Sequence, residues 1–403
     1  MTPETKDMKK KRPIPAPNSD FYQIYDLLSE PQKEVVNRVR TFMETQVAPI
    51  IEKYWMEDAF PFELIPGIRD LHIAGASFQQ NGEMEASPLL GGFIAMEMAR
   101  VDCSINTFFG VHSGLAMGSI HLCGSEEQKQ RWLPEMADFK KIGCFALTEP
   151  LVGSGAAGGL LTTAQRDGDT WILNGQKKWI GNAPFADLAI VWARDVEDNQ
   201  VKGFIVEKDT PGYSVEKIQN KMALRVVQNG LITLDNCRVP EANRLQNANT
   251  FKDTGKILRK TRAGVAWGAV GCMRGAYEYA LKYAQEREQF GRPIAKFQLV
   301  QDLLFRMLSN ITACECLCVR LAQLEEAGQY KDENSAMAKA FCTMKMRETV
   351  AYAREIFGGN GILMDYHVAR FMADAEALYS YEGTREMNAL IVGRAASGYS
   401  AFV

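Results

Sequence analysis

The stretch TWILNGQKKWI, residues 170 to 180, decides how this chain is read. It reads as two short strands about Asn174-Gly175, a dipeptide suited to the positive backbone angles of a tight hairpin. Further β runs follow it, LAIVWA, GFIVEK, YSVEKI and GLITLDN, separated by turn residues. Several short strands within roughly 100 residues suggest a small barrel or sandwich. This β character fills residues 144 to 250 and stops abruptly at both ends.

On either side the pattern is helical. Over residues 21 to 143 the chain reads as a helical domain, opened by Ser29 and Gln32 as a capping box, with Val35, Val36, Val39, Phe42 and Met43 on one face. Pro134 in RWLPEMA and Pro66 in LIPGIRDL are expected to break helices. From residue 251 to 403 the 3.6-residue period returns in long alanine- and leucine-rich segments, the pattern of a helical bundle. Helical domain, β domain and helical bundle are the expected skeleton, preceded by an arm over residues 1 to 20. That arm is basic, carries PIPAP, lacks the apolar core of a signal peptide and is expected to be mobile.

The 403 residues suffice for two or three domains. A hydrophobic share of 46% against 24% charged residues is an ordinary globular mix. The net charge of −3 gives no case for nucleic acid or an anionic membrane. No apolar run is long enough to span a bilayer. The nine cysteines are scattered and odd in number, a poor disulfide framework that points to a reducing compartment. Cys314, Cys316 and Cys318 alternate within a helical pattern, which splays them around the helix and argues for packing rather than a metal. The four histidines show no ligand spacing. The terminal SAFV is not a peroxisomal tripeptide, so the cytoplasm is expected.

Five stretches carry residues of chemical interest. CFALTEPLVGSGAAGG (144 to 159) runs from a strand edge into a small-residue loop whose backbone can approach a ligand closely. In KKWIGN, Trp179 could wall a flat cofactor or belong to the core. REQFGRPIAKFQ (287 to 298) breaks the bundle at Gly291 and Pro293, and EIFGGNGI (355 to 362) is a helix stop. In SYEGTRE (380 to 386), Glu382 stands between a ring and a glycine. Each alone reads equally well as a turn, a cap or a solvated loop.

Together and in this order, ALTEP…GS, NGQKKWIGN, ER.QFGRP, GGNGI and YEGT resemble the acyl-CoA dehydrogenases and oxidases, over about residues 20 to 402. Within that family the chain looks nearest the glutaryl-CoA dehydrogenases and the plant peroxisomal short-chain acyl-CoA oxidases. The resemblance implies a mostly α fold with a central β domain: an N-terminal helical domain, a middle β domain and a C-terminal four-helix bundle. It implies FAD, usually in a homotetramer. Phe145, Leu147, Thr148, Ser154 and Trp179 would line the flavin. Arg287, Phe290, Gln298, Glu355 and Gly359 would reach the FAD of a neighbouring subunit, with Thr384 and Glu386 completing the site. Arg262 matches an arginine of the CoA-binding helix, and Asn106 and Thr107 fall where the acyl tail ends, followed by Phe108 and Phe109.

Glu382 matches the family's base. By that resemblance it would take the pro-R α-proton of a short-chain acyl-CoA while a β-hydride passes to flavin N5, giving the trans-2-enoyl-CoA, a reaction of fatty-acid β-oxidation. Binding the acyl chain would dry the carboxylate and raise its pKa. Its backbone N–H would polarise the thioester carbonyl, and Gly383 would let the chain turn so that both groups face the ligand.

Three departures follow. The glutaryl-CoA dehydrogenases carry an arginine for the distal carboxylate where this chain has Asn106, which argues against glutaryl-CoA. The family's GSD is GSG here, with Gly155 in place of the aspartate. The residue two after Trp179 is usually Thr or Ser; here it is Gly181, as in the plant oxidases, and a glycine there is expected to leave room beside the flavin. The leading expectation is a dehydrogenase passing electrons to an electron-transfer flavoprotein. The alternatives are an oxidase reducing oxygen to peroxide, a flavin monooxygenase, which would not need Glu382, and a non-catalytic binding protein.

Overall fold

The computed structural model describes residues 18–76 and 87–402. Most of the arm expected over residues 1 to 20 therefore lies outside the described residues. The N-terminal part is helical: α1 (Glu30–Phe42), α2 (Ile51–Glu57), α3 (Ile65–Asp70), α4 (Pro88–Val101), α5 (Cys103–Phe109), α6 (Gly118–Cys123) and α7 (Glu126–Ala137). A π-helical segment, Gly110–Met117, joins α5 to α6 without a break. Ahead of α1 the Gln32 side chain accepts from the Ser29 N–H at 3.0 Å, half of the expected capping box, and Val35, Val36, Val39 and Phe42 are buried. The prolines act otherwise than expected. Pro66 stands in the first turn of α3, where its missing N–H has no partner to lose, and Pro134 is carried inside α7.

The middle part is one seven-stranded sheet: β1 (Gly143–Ala146), β2 (Thr163–Asp167), β3 (Thr170–Gly181), β4 (Leu188–Asp195), β5 (Val201–Glu207), β6 (Tyr213–Lys217) and β7 (Asn229–Pro240), with the short helix α8 (Ala156–Gly159) after β1. The order is β1-β4-β2-β3-β7-β6, with β5 pairing β4. Along β4, Leu188, Ile190 and Trp192 face the helices, while Ala189, Val191 and Ala193 join a second core on the opposite face. A strand covered on both faces reads as a continuous apolar run, which is why LAIVWA shows no alternation.

TWILNGQKKWI does not form the expected hairpin. It is one continuous strand, β3, and the tight turn lies earlier, at Gly168-Asp169 between β2 and β3. Asn174-Gly175 instead marks an irregularity in the β3–β7 register. Gly175 has φ 144°, and a β-carbon there would stand 2.7 Å from Thr162 Cα. The Asn174 side chain accepts from the Asn236 N–H at 2.8 Å. The dipeptide supplies a bulge and a close crossing rather than a reversal.

The bundle comprises α9 (Phe251–Glu286), α10 (Gln298–Glu326), α11 (Asp332–Ile356), α12 (Val368–Ser380) and α13 (Arg385–Ser397). Between α9 and α10 a two-residue ladder, β8 (Glu288–Gln289) with β9 (Arg292–Pro293), closes the corner expected at Gly291. α9 packs directly on α4: a β-carbon at Gly271 would stand 2.2 Å from the Met96 carbonyl oxygen, and one at Gly275 2.1 Å from that of Arg100. Cys314 and Cys318 share a buried face of α10, and Cys318 Sγ lies 3.9 Å from Cys342 Sγ on α11, while Cys316 is exposed. Only the middle cysteine of the three is thus splayed away.

Candidate functional site

The loop after β1 is fastened to β3 by a short set of polar bonds. Thr148 donates its hydroxyl to the Lys178 carbonyl at 2.6 Å, and Lys178 N–H donates to the Thr148 carbonyl at 2.8 Å. One residue on, Glu149 accepts from Lys177 Nζ at 2.8 Å and from the Leu161 and Thr162 N–H groups at 2.7 and 2.9 Å. Lys177 has no solvent exposure, and burial pulls its pKa down to about 8. Burial would raise Glu149, but Lys177 and the hydrogen bonds hold it below the usual carboxylate range.

This frame sets Phe145 and Leu147 in the core and leaves Trp179 56% exposed at the end of β3, with a left-handed φ of 68°. An exposed indole beside apolar side chains is unusual for a core residue and natural for the wall of a flat ring system. Ser154 is exposed, and β-carbons at Gly153 and Gly155 would meet nothing within 4 Å, so the loop backbone stays open. The indole wall, the free hydroxyl and the open backbone fit an isoalloxazine with a phosphate-bearing tail. Gly181 is different from expectation. A β-carbon there would lie 3.2 Å from Val111 and 3.6 Å from Val227, so the space a side chain would occupy is already lined closely.

A second group sits at one corner of the bundle. Arg287 ends α9, Gln298 opens α10, and Glu355 and Gly359 lie at the end of α11; all are exposed, as is Phe290 at 93%. Asn360 donates to the Tyr283 hydroxyl at 3.0 Å, and Tyr283 stacks on Phe357, which ties the end of α9 to the GGNG stop.

The third group is the turn between α12 and α13. Glu382 itself takes a left-handed φ of 54° and Gly383 follows at 84°. Thr384 caps α13, its hydroxyl accepting from the Met387 N–H at 3.3 Å, and Glu386 is exposed in the first turn. Asn388 donates to the Gly383 and Thr384 carbonyls at 2.9 and 3.0 Å. Glu382 is half-buried and accepts from the Thr261 hydroxyl of α9 at 3.1 Å. Burial is the largest influence on it and lifts its pKa above the ordinary carboxylate value, while Arg262, the Thr261 bond and Lys339 pull it back. The Tyr381 hydroxyl lies 3.3 Å from that of Thr107 on α5.

Helix α5 and the π-helical segment present Asn106, Gly110 and Gly114 toward Thr261, Gly264 and Gly268 of α9. A β-carbon at Gly268 would stand 2.8 Å from the Asn106 amide nitrogen, and one at Gly114 would stand 3.6 Å from the Thr261 methyl. Between these contacts Gly110 and Gly264 border open space, with nothing within 4 Å of a β-carbon at either. The small residues therefore leave open space on the face of α9 that carries Thr261, between Glu382 and the Asn106 amide. Phe108 has another task than ending it: its ring packs with Phe60, Phe139 and Phe185.

Sequence reasoning missed Lys339, Thr261 and the Lys177–Glu149 pair. Lys339 left a trace: in SAMAKAF it falls on the stripe of Ser335, Ala336, Cys342, Thr343 and Met346, all buried in α11. A charge on an apolar stripe is the informative exception.

Family models for the acyl-CoA dehydrogenase N-terminal, middle and C-terminal domains match residues 29–140, 144–237 and 251–397. An acyl-CoA dehydrogenase of Bacillus subtilis (strain 168) is 34% identical, covering 90% of this chain and 97% of that protein. The mitochondrial short-chain specific acyl-CoA dehydrogenase of Mus musculus is 31% identical over 92% of each chain. Among solved structures, a glutaryl-CoA dehydrogenase of Mycobacterium smegmatis in complex with FADH2 superposes with a TM-score of 0.92 at 33% identity, covering 96% of this chain and all of that one. With all three domains matched in order, this chain belongs to the acyl-CoA dehydrogenase family, FAD-dependent oxidoreductases that act on the CH–CH groups of acyl-CoA thioesters.

Proposed function

We propose that the chain converts a short acyl-CoA to its trans-2-enoyl-CoA, with Glu382 as the base that removes the α-proton and an electron-transfer flavoprotein as the acceptor. The observation that carries this reading is the Glu382 turn. A glutamate held at positive φ, its pKa raised by burial and its carboxylate bonded by the Thr261 hydroxyl, is a carboxylate kept ready for a proton.

The residues divide the work. Trp179, Thr148, Phe145, Leu147 and the open loop through Ser154 would hold the flavin, which would supply the acceptor for the hydride of the β-carbon. Arg262 sets a cation beside the carboxylate. Thr261 orients one carboxylate oxygen and Tyr381 closes the wall toward Thr107. The Glu382 N–H, turned by Gly383, faces the thioester carbonyl and stabilises the charge that grows there as the α-proton leaves. Binding of the acyl chain displaces water from Glu382 and raises its basicity toward the working pH.

The space bordered by Gly110 and Gly264 supports a short acyl group. It ends on Asn106, a neutral amide, and the arginine behind α5 is already committed: Arg370 is paired with Asp102 and donates to the Val101 carbonyl at 3.0 Å. A distal carboxylate would be buried without a cation, at several kcal/mol. The likeness to a glutaryl-CoA dehydrogenase therefore does not extend to its substrate. The exposed corner of Arg287, Phe290, Gln298, Glu355 and Gly359, with Leu299 and Phe305 exposed along α10, supports a homotetramer in which a neighbour covers that surface. The crowding at Gly181 removes the support that an open glycine lent to the oxidase reading.

The test is anaerobic stopped-flow reduction of the bound flavin by propionyl-, butyryl-, isobutyryl-, octanoyl- and glutaryl-CoA. Butyryl-CoA or its close neighbours should reduce it fastest, with glutaryl-CoA at least ~100-fold lower in kcat/KM, the equivalent of about 2.7 kcal/mol. Fastest reduction by glutaryl-CoA overturns the reading of Asn106, and no reduction by any of them overturns the function.

A further inference from the structure

Lys339 lies in the middle of α11 with no solvent exposure. Its ammonium donates to the Tyr379 carbonyl at 2.7 Å and to the Gly383 carbonyl at 2.9 Å. Those carbonyls flank Glu382 on both sides, one at the end of α12 and one in the turn. The stretch between them carries the two successive left-handed residues, Glu382 and Gly383. The lysine therefore closes the ends of the strained turn from beneath, and Asn388 closes the same turn from α13 through the Gly383 carbonyl. Without such a tie, a glutamate at φ 54° would relax to an ordinary angle and swing its carboxylate away.

We propose that Lys339 is a positioning residue for the reaction, holding the Glu382 turn in its reactive conformation while its charge keeps the carboxylate ionised. This rests on the reading of Glu382 as the base. Two features make it more than a structural lysine. Its hydrogen bonds go to backbone carbonyls, so they fix geometry without consuming the carboxylate. Its cation acts on Glu382 through space and lowers the pKa that burial raises. The groups facing this pair are few and come from two helices: Arg262 from α9 acts on both, Thr261 from α9 bonds Glu382, and Glu386 from α13 acts on Lys339. Lys339 itself is drawn down to about 8 by burial, so it is charged at neutral pH and loses its proton just above.

The sign of the effect follows. A general base works only when deprotonated, so the rate of flavin reduction rises with pH through the Glu382 pKa. Removing a neighbouring cation raises that pKa, which moves the acid limb to higher pH and lowers the rate at any pH within it.

The experiment measures flavin reduction by butyryl-CoA from pH 5.5 to 9 in the FAD-loaded wild type and in Lys339→Met, Lys339→Gln and Lys339→Arg. Enoyl-CoA affinity, from the flavin spectrum, is measured in parallel. Methionine keeps the length without charge or donors, glutamine keeps a donor without charge, and arginine keeps the charge. We expect Lys339→Met to reduce at least ~10-fold more slowly with its acid limb about one unit higher, Lys339→Gln to share the limb shift, and Lys339→Arg to return the limb to the wild-type position. Enoyl-CoA affinity should change less than about threefold in all, because the residue acts on the base rather than on binding. A slower Lys339→Met with an unmoved limb shows a structural role only and overturns the proposal, as does a wild-type rate. If Lys339→Met fails to fold or to hold FAD, coincident limbs for Lys339→Gln and Lys339→Arg overturn it equally. A wild type that no acyl-CoA reduces removes the base itself and the proposal with it, an outcome separable from failure of the variants alone.

Discussion

Two lysines among the described residues, Lys177 and Lys339, are wholly buried, and they treat the nearby glutamate in opposite ways. Lys177 bonds Glu149 directly at 2.8 Å, and three further polar bonds close the pair into the frame behind the sheet. Lys339 bonds two backbone carbonyls and acts on Glu382 through its charge. Burial draws both lysines down to about 8. The carboxylates diverge: Glu149 falls below the usual range and Glu382 rises above it. A carboxylate with its lone pairs filled is a fastening, and one held near a cation but with few bonds is open to the role of base proposed for Glu382.

The contrast can be broken at either end. Glu382→Gln is nearly isosteric and cannot accept a proton. It should keep FAD and acyl-CoA binding and reduce its flavin at least ~10³-fold more slowly. Reduction within ~10-fold of the wild type would assign the base elsewhere.

Glu149→Gln should act on stability instead. It leaves Lys177 buried without its counter-ion, at a cost of about 3 kcal/mol, read as a lower urea midpoint at pH 7. Acid sharpens this. Glu149 has its folded pKa below its ordinary value of 4.5, so its contribution is complete above that value and is lost as pH falls through the folded pKa. The wild type should therefore approach the variant in stability below about pH 4.5, and a gap that stays constant down to pH 3 would contradict the pairing.

Smaller effects probe the strain around the base. Gly383→Ala puts a β-carbon at φ 84° and 3.2 Å from the Asn388 amide nitrogen. The left-handed penalty of about 1–2 kcal/mol should loosen the turn and slow reduction about tenfold, with little change in enoyl-CoA affinity. An unaffected rate would mean that the turn is not under tension.

The least change is expected at Gly181, on the rigid side of the comparison at the end of β3. Gly181→Ala asks Val111 to give by a few tenths of an ångström, so reoxidation of the reduced, product-bound enzyme in air should stay within about threefold of the wild type. A drop of tenfold or more would return weight to the oxidase reading.

What could be read in advance tracks how local the cause is. The return of a 3.6-residue period after residue 250 marked the bundle, because helices are built from neighbours in sequence. SYEGTRE drew attention to Glu382 because a carboxylate between a ring and a glycine is odd in itself. The hairpin was misplaced because Asn174-Gly175 and Gly168-Asp169 carry equivalent turn chemistry, and only the pairing of β2 with β3 and the crossing over Thr162 select between them. Gly181 read as room because its neighbour Val111 is 70 positions away.

The sequence by itself determined the three-part succession of helix, sheet and bundle and the family, and it nominated the residues proposed for the flavin and the base. These follow from periodicity and from short motifs, which survive in one dimension. Only the tertiary structure decided which glutamate is tied to a lysine and which is not, that Lys339 bonds the Glu382 turn from another helix, and that Gly110 and Gly264 border open space near the neutral Asn106 amide. Those properties depend on burial and on distances between residues far apart in the chain, and a charge gains its function from the groups that fail to bond it as much as from those that do.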